Sequence, residues 1–120
     1  MPVTPQGATL YLNGGNVAPV KIVAHTGAPA ATGLNLRIGS PVACSFSAAV
    51  AQSRQLSSAI QVNIPAGVNN ASHFSVYNSD DVCLHIEPLT TPRTGLIEGD
   101  KLEFVPAQTL ISVPAVYVAP

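Results

Sequence analysis

Short stretches of alternating apolar and polar residues run along much of the chain, and this period of two is typical of half-buried β-strands. Residues 60–64 alternate in this way and stop at Pro65, and residues 34–38 repeat the pattern. Proline ends a strand ladder because it has no backbone N–H to donate. The predicted strands cover residues 8–12, 17–24, 34–38, 60–64, 73–77, 82–87, 96–98 and 101–105.

Turn-forming residues separate several of these segments. Residues 13–16 read Asn-Gly-Gly-Asn, and Asn and Gly accept the positive φ of a tight hairpin. We therefore expect a hairpin between the first two predicted strands. Residues 78–81 predict a turn, and Gly99-Asp100 predicts a tight hairpin between the last two predicted strands.

The segment before the fourth predicted strand fits two interpretations. Residues 44–50 can continue the sheet, whereas a short helix competes over residues 48–58 (AAVAQSRQLSS). Ala, Gln and Arg favour that helix and the serines weaken it.

Turn residues divide the whole chain into short pieces, since nine glycines and eleven prolines occur among its 120 residues. About eight short antiparallel strands at a spacing of roughly ten residues indicate a β-sandwich, a jelly roll or a small barrel. With no internal repeat, the chain is expected to form one all-β domain spanning residues 1–120.

The two ends differ from this middle because prolines interrupt them. Residues 1–7 are predicted to form an extended arm, and residues 106–120 (PAQTLISVPAVYVAP) an extended arm or a last edge strand. The second segment is also apolar, so it is expected to pack against protein rather than lie in water. Its candidate subunit contacts are Leu110, Ile111, Val113, Val116, Tyr117 and Val118.

Charge is scarce. Only 9% of the residues are charged and the net charge is −1, against about 25% charged residues in a typical soluble domain. Such a surface offers little resistance to close packing with a neighbour, which favours a protein that binds other copies of itself and other subunits. A secreted domain with a polar, uncharged surface is the competing interpretation.

Several function classes are disfavoured. The five basic residues are dispersed, whereas nucleic-acid binding needs clustered Lys and Arg. No apolar run approaches the roughly 18 residues of a spanning helix. The first seven residues have neither a basic nor an apolar signal region, so we expect synthesis in the cytoplasm unless a signal has been removed.

No catalytic motif is recognisable, so we predict no enzyme activity, no cofactor and no small-molecule substrate. One group of residues is a candidate metal site. Cys83, His85 and Glu87 alternate along a predicted strand, which would place their side chains on one face. These are zinc or copper ligand types. However, neighbours on that face lie almost 7 Å apart, by the ~3.3 Å rise per residue, so a solvent-facing strand without metal is preferred.

Cys44 and Cys83 match no zinc or redox spacing. They are interpreted as small core residues with free thiols, with a disulfide between neighbouring strands as the alternative.

Taken together, the uncharged composition, the proline-rich ends, the absent signal and the Gly-Asp-Lys-Leu-Glu-Phe segment (99–104) resemble small β-rich structural proteins of tailed bacteriophage virions, such as capsid decoration and tail proteins. The resemblance is one of general character along the whole chain. It implies a virion location, many copies on a shell or tube, capsid or tail subunits as partners, and no cofactor.

Two other function classes stay open at this stage. A secreted carbohydrate-binding or adhesin domain would need an aromatic platform, for which only three Tyr and three Phe are available because the chain has no Trp. A metal-dependent cupin-like enzyme would have to use the face at positions 83, 85 and 87, yet it lacks the His-x-His pattern.

Overall fold

The computed structural model describes residues 3–48 and 52–112. This part of the chain contains eight strands and one short α-helix, which confirms a mainly β fold. The helices and strands are α1 (Pro5–Asn13), β1 (Lys21–His25), β2 (Arg37–Ala43), β3 (Ser53–Gln55), β4 (Ile60–Asn63), β5 (Asn70–Tyr77), β6 (Cys83–Thr94), β7 (Lys101–Phe104), a 3-10 turn (Pro106–Gln108) and β8 (Leu110–Ser112). None of the helices in these ranges is long and apolar enough to cross a membrane.

The strands form one sheet and two ribbons. The sheet has the order β2-β1-β5-β6, and the ribbons pair β3 with β8 and β4 with β7. All of these pairs are antiparallel, as predicted. The outer strands of the sheet are β2, which contains Pro41, and β6, which contains Pro88 and Pro92.

The main core joins the sheet to both ribbons. One cluster of buried apolar side chains combines residues of all three, and in it the rings of Phe74 and Phe104 meet edge to face with centroids 5.8 Å apart. The members of this cluster most deeply buried are Ile22, Ala24, Ile38, Leu56, Ile64, Ala71, Phe74, Val76, Leu84 and Ile111.

The first predicted strand was wrong, because residues 8–12 belong to helix α1. Thr4 caps the helix by accepting a hydrogen bond from the N–H of Gly7 at 3.0 Å, and Pro5 occupies the first turn. Gly14 ends it with φ 67°. The glycines that predicted a hairpin therefore act as a helix stop. The expected extended arm at residues 1–7 is likewise wrong from Pro5 onward.

The alternation at residues 34–38 predicted a strand that begins too early. Strand β2 begins only at Arg37, and Leu34 and Leu36 are exposed by 65% and 47% in the loop before it. Leu36 has φ 56°, which takes its backbone out of the extended region. The period of two in residues 34–36 thus arises without a strand, whereas Arg37 and Ile38 lie in β2.

The turn at residues 78–81 is confirmed. The side-chain oxygen of Asn78 accepts hydrogen bonds from the backbone N–H groups of Asp80 and Val82 at 2.9 and 3.0 Å. This local hydrogen bonding is the property that makes Asn a turn residue. The turn joins β5 to β6.

The expected hairpin around Gly99-Asp100 is half right. Gly99 adopts φ 91° in a turn, and β7 follows it as predicted. Residues 96–98 are not a strand, however, and β7 pairs with β4 instead. Leu96 is buried at only 4% exposure, so this segment is a loop anchored in the core.

The segment before β4, for which a strand and a helix were both considered, pairs with the C-terminal segment in a ribbon. Residues 53–55 form strand β3 and not a helix, and they pair with β8, with Arg54 opposite Ile111. Residues 110–112 are therefore part of the fold. The rest of the predicted arm, residues 113–120, lies outside the described residues.

Candidate functional site

The predicted ligand face on β6 is divided by a β-bulge. In the register with β5, Val76 is opposite His85, yet Tyr77 is opposite Cys83. Leu84 is thus an extra residue, and it turns Cys83 to the other face of the sheet. The prediction that the side chains at positions 83, 85 and 87 share one face was therefore wrong.

These three side chains are also buried and not solvent-facing. Cys83 is exposed by 2%, His85 by 0% and Glu87 by 7%. A carboxylate oxygen of Glu87 accepts a hydrogen bond from the N–H of Ser112 at 2.9 Å, and burial raises the pKa of this carboxyl group. Among the residues that the structure describes, no three His, Cys, Asp or Glu side chains group closely enough to hold a metal ion.

His85 joins helix α1 to the sheet. Its Nε2 lies 2.7 Å from the hydroxyl of Tyr11, which is itself buried. Close by, the Cα of Gly7 lies so near the carbonyl of Leu84 that a Cβ at position 7 would collide with it. Burial lowers the pKa of His85 to about 4, so the imidazole is neutral at physiological pH and serves as a structural partner of the helix.

The opposite face of the sheet carries a buried polar network that the sequence did not reveal. Nδ1 of His25 lies 2.9 Å from the carbonyl of Asn35, and its Nε2 lies 2.7 Å from Oγ of Ser75. Ser75 is 2.8 Å from the hydroxyl of Tyr77, which donates to the carbonyl of Gly33. The signal in the sequence is weak: Ser75 and Tyr77 are two apart on one strand, and His25 lies on another.

The available donors and acceptors determine where the protons of this network lie. Both carbonyls only accept, so Nδ1 of His25 and the hydroxyl of Tyr77 must donate to them. Ser75 then has one proton for two contacts, with Nε2 of His25 and with Tyr77. A second proton on His25 would complete all contacts, but burial lowers its pKa. Since His25 and Ser75 are both exposed by 0%, the pair is a structural network and not an accessible nucleophile.

The loop before β2 closes this network. Arg37 lies over the ring of Tyr77, 5.1 Å from its centroid, and donates from Nε to the carbonyl of Gly33 at 2.9 Å. Gly33 has φ 66°, and a Cβ there would collide with the hydroxyl of Tyr77. Glycine is required at this position both for its backbone conformation and for the close approach.

Both cysteines are free thiols, so the disulfide alternative does not describe this fold. Burial raises the pKa of Cys44 and of Cys83 to about 12 in each case. Because the thiolate is the reactive form, neither side chain is an activated nucleophile at neutral pH.

An apolar cleft of about 670 Å³ opens beside helix α1. That volume lies in the usual range of small-ligand sites. Its walls come from the start of the helix, the loop after β1 and the end of the sheet, and include Pro5, Ala8, Ala28, Ala31, Ile86 and Pro88. His73 is the one titratable side chain in the described lining, and its Nδ1 lies 2.7 Å from Oγ of Ser72.

The aromatic residues do not form a surface platform in the described part of the chain. Tyr11 and Tyr77 are exposed by 2% and 1%, and the three phenylalanines are buried as well. The remaining aromatic residue, Tyr117, lies outside the described residues. The described residues therefore offer no aromatic platform for the carbohydrate-binding interpretation.

Few large apolar side chains are exposed on the described surface, and two of them lie on the loop before β2. Of the candidate subunit contacts, Leu110 is exposed by 44%, whereas Ile111 is fully buried in the core of its own chain. Val113, Val116, Tyr117 and Val118 lie outside the described residues. The other large apolar side chains on the described surface, which were not predicted as subunit contacts, are Leu12, Leu34, Leu36 and Ile97.

No family model matches the chain, and no curated protein or solved structure shows significant similarity to it.

Proposed function

We propose that this chain is a structural subunit that binds other copies of itself and other subunits in a multi-subunit assembly, such as the capsid or tail of a virion. The observation that carries the proposal is the loop before β2. It presents Leu34 and Leu36 to solvent at 65% and 47% exposure on a chain with only five basic and six acidic residues.

Leu36 is unfavourable in the isolated chain for two reasons. Its large apolar side chain lies in water, and its left-handed backbone conformation, φ 56°, costs an L-residue about 1–2 kcal/mol. Residues held in such a conformation often serve function rather than stability. Contact with another subunit would give the exposed side chain an apolar environment.

The loop is also held in a defined shape, as a contact surface requires. The N–H of Thr26 donates to the carbonyl of Leu36 at 3.0 Å, and the side chain of Asn35 accepts from the N–H of Ala30 at 2.8 Å. Because these bonds fix the backbone in the free chain, little further ordering would be needed on binding. The proposal includes the finer fold, with the sheet and the ribbons as two layers of a β-sandwich, supported by their shared core cluster.

The substitution Leu36→Asn tests the contact, because two measurements should move in opposite directions. Asn tolerates the left-handed conformation, so urea titration should show a free energy of unfolding higher by up to about 1 kcal/mol. Sedimentation velocity should show weaker self-association than in the wild type.

Ala30→Asn is the matched control, since Ala30 is exposed on the same loop and is not among the residues with positive φ. It should leave both measurements unchanged. Self-association of Leu36→Asn equal to that of the wild type would contradict the contact, and a wild-type chain that stays monomeric at all concentrations would contradict self-assembly.

A further inference from the structure

We propose that the apolar cleft beside α1 is the binding site of residues 113–120 of the same chain. This inference does not depend on the assembly proposal. The two partners match in chemistry: the segment reads VPAVYVAP, without a charge, and the cleft is walled by proline, alanine and isoleucine side chains.

The described chain ends close to the cleft. The N–H of Ser112 donates to the carboxylate of Glu87 at 2.9 Å, and the neighbours of Glu87 along β6, Ile86 and Pro88, both line the cleft. Neighbouring residues on a strand are about 3.3 Å apart. The last described residue is therefore anchored beside the rim.

To reach the cleft from Ser112, residues 113–120 must pass around the edge of strand β6. Glu87 pairs with Phe74 and Ile86 with Ser75, so Glu87 points to the core face and Ile86 to the opposite face, where the cleft lies. Strand β6 is the outer strand of its sheet, and Val3 pairs with its outer edge at His85. The segment would therefore pass this edge beyond that bridge, next to Glu87 and Pro88. Eight extended residues span about 26 Å, which exceeds the roughly 20 Å between layers on the two faces of a sheet, since each layer packs about 10 Å from it.

The residue types of the segment suit this site. Prolines favour an extended chain without backbone donors, which fits a groove that offers few hydrogen-bonding groups. Tyr117 combines an apolar ring with a hydroxyl group, and His73 supplies an imidazole among the apolar walls.

Chymotrypsin cleavage after Tyr117 reports whether the segment is bound, because the other five aromatic residues are buried. In the full-length wild type we expect slow cleavage, measured by mass spectrometry. In Ala28→Asp, which places a charge in the cleft, cleavage should be about tenfold faster, since the protease needs the open form.

Ala30→Asp is the matched control, because Ala30 is exposed on the same loop but does not line the cleft; its cleavage rate should equal that of the wild type. Equal rates in the wild type and Ala28→Asp would overturn the inference. Protection that is lost on dilution would assign the cleft to a neighbouring chain and overturn it as well.

A nitroxide attached through Val118→Cys, in a Cys44→Ser background, provides a second measurement. It should broaden the amide resonances of Ala28 and Ile86 in the same chain and leave those of Lys101 unaffected. Mixing the labelled chain with an isotopically labelled, nitroxide-free chain should give no broadening. Because Leu36→Asn should change self-association without changing Tyr117 cleavage, failure of one proposal is distinguishable from failure of the other.

Discussion

The two faces of the four-stranded sheet are stabilised by different means. On one face, Ile22, Phe74 and Val76 pack into an apolar cluster shared with both ribbons. On the other, His25, Ser75 and Tyr77 form a hydrogen-bond network covered by the loop before β2. Packing tolerates small shifts but not lost volume, whereas the network depends on each donor meeting an acceptor.

The largest expected effect is on the apolar face. Phe74→Ala should lower the free energy of unfolding by about 3–5 kcal/mol, because it removes a fully buried ring and leaves a cavity against Phe104. Urea titration measures the change. Leu12→Ala, which shortens a side chain that is 62% exposed, should stay within about 0.5 kcal/mol. A loss near 1 kcal/mol for Phe74→Ala would mean that this face is not a packed core.

A second test uses acid. His85 has a pKa lowered to about 4 by burial, so above pH 6.5 it is neutral whether the chain is folded or unfolded. As the pH falls from 6.5 towards 4, the unfolded chain binds a proton that the folded chain does not. The free energy of unfolding should therefore fall by about 3 kcal/mol through His85 over this range, and then level off.

The measurement is the difference between the urea-derived stability profiles of the wild type and His85→Gln, in which the contributions of other titrating groups cancel. Burial also lowers the pKa of His25, so His85→Gln should still lose stability in acid, but less than the wild type does. Parallel profiles would show that His85 does not resist protonation in the folded chain.

The smallest expected effect is on the polar face. Tyr77→Phe removes the hydroxyl between Ser75 and the carbonyl of Gly33, but neither partner is left without a hydrogen bond. Arg37 still donates to Gly33 at 2.9 Å, and Ser75 can give its proton to His25. We expect a loss of about 1 kcal/mol by urea titration. A loss as large as that of Phe74→Ala would make the network the main source of stability.

The sequence predicted the parts of the fold that depend on local pattern. Residues 60–64 and 73–77 alternate and lie largely in strands β4 and β5, and the turn at Asn78 follows from its side chain. Helix α1 was missed because Asn13-Gly14 fits both a hairpin and a helix stop. The capping pair Thr4-Pro5 was the signal that could have separated the two.

The errors at the candidate site have a non-local cause. The predicted face at positions 83, 85 and 87 assumed a regular strand, but the bulge at Leu84 exists only in the pairing with β5. The network of His25 and Ser75 likewise depends on which strands are neighbours and on the loop that covers them. The hydrophobic period of a single segment predicts neither which strands pair nor which loop covers them.

The prolines of the outer strands bear on how the sheet avoids pairing with other sheets at its edges. Proteins commonly protect exposed sheet edges with lysine, and proline is another means. This chain has only five basic residues, but Pro41 lies in one outer strand and Pro88 and Pro92 in the other. Edge-to-edge growth of the sheet, the first step towards fibrils, is thus opposed by prolines, and at His85 by the bridge with Val3, more than by electrostatic repulsion. High salt, which screens charges, should leave this protection intact.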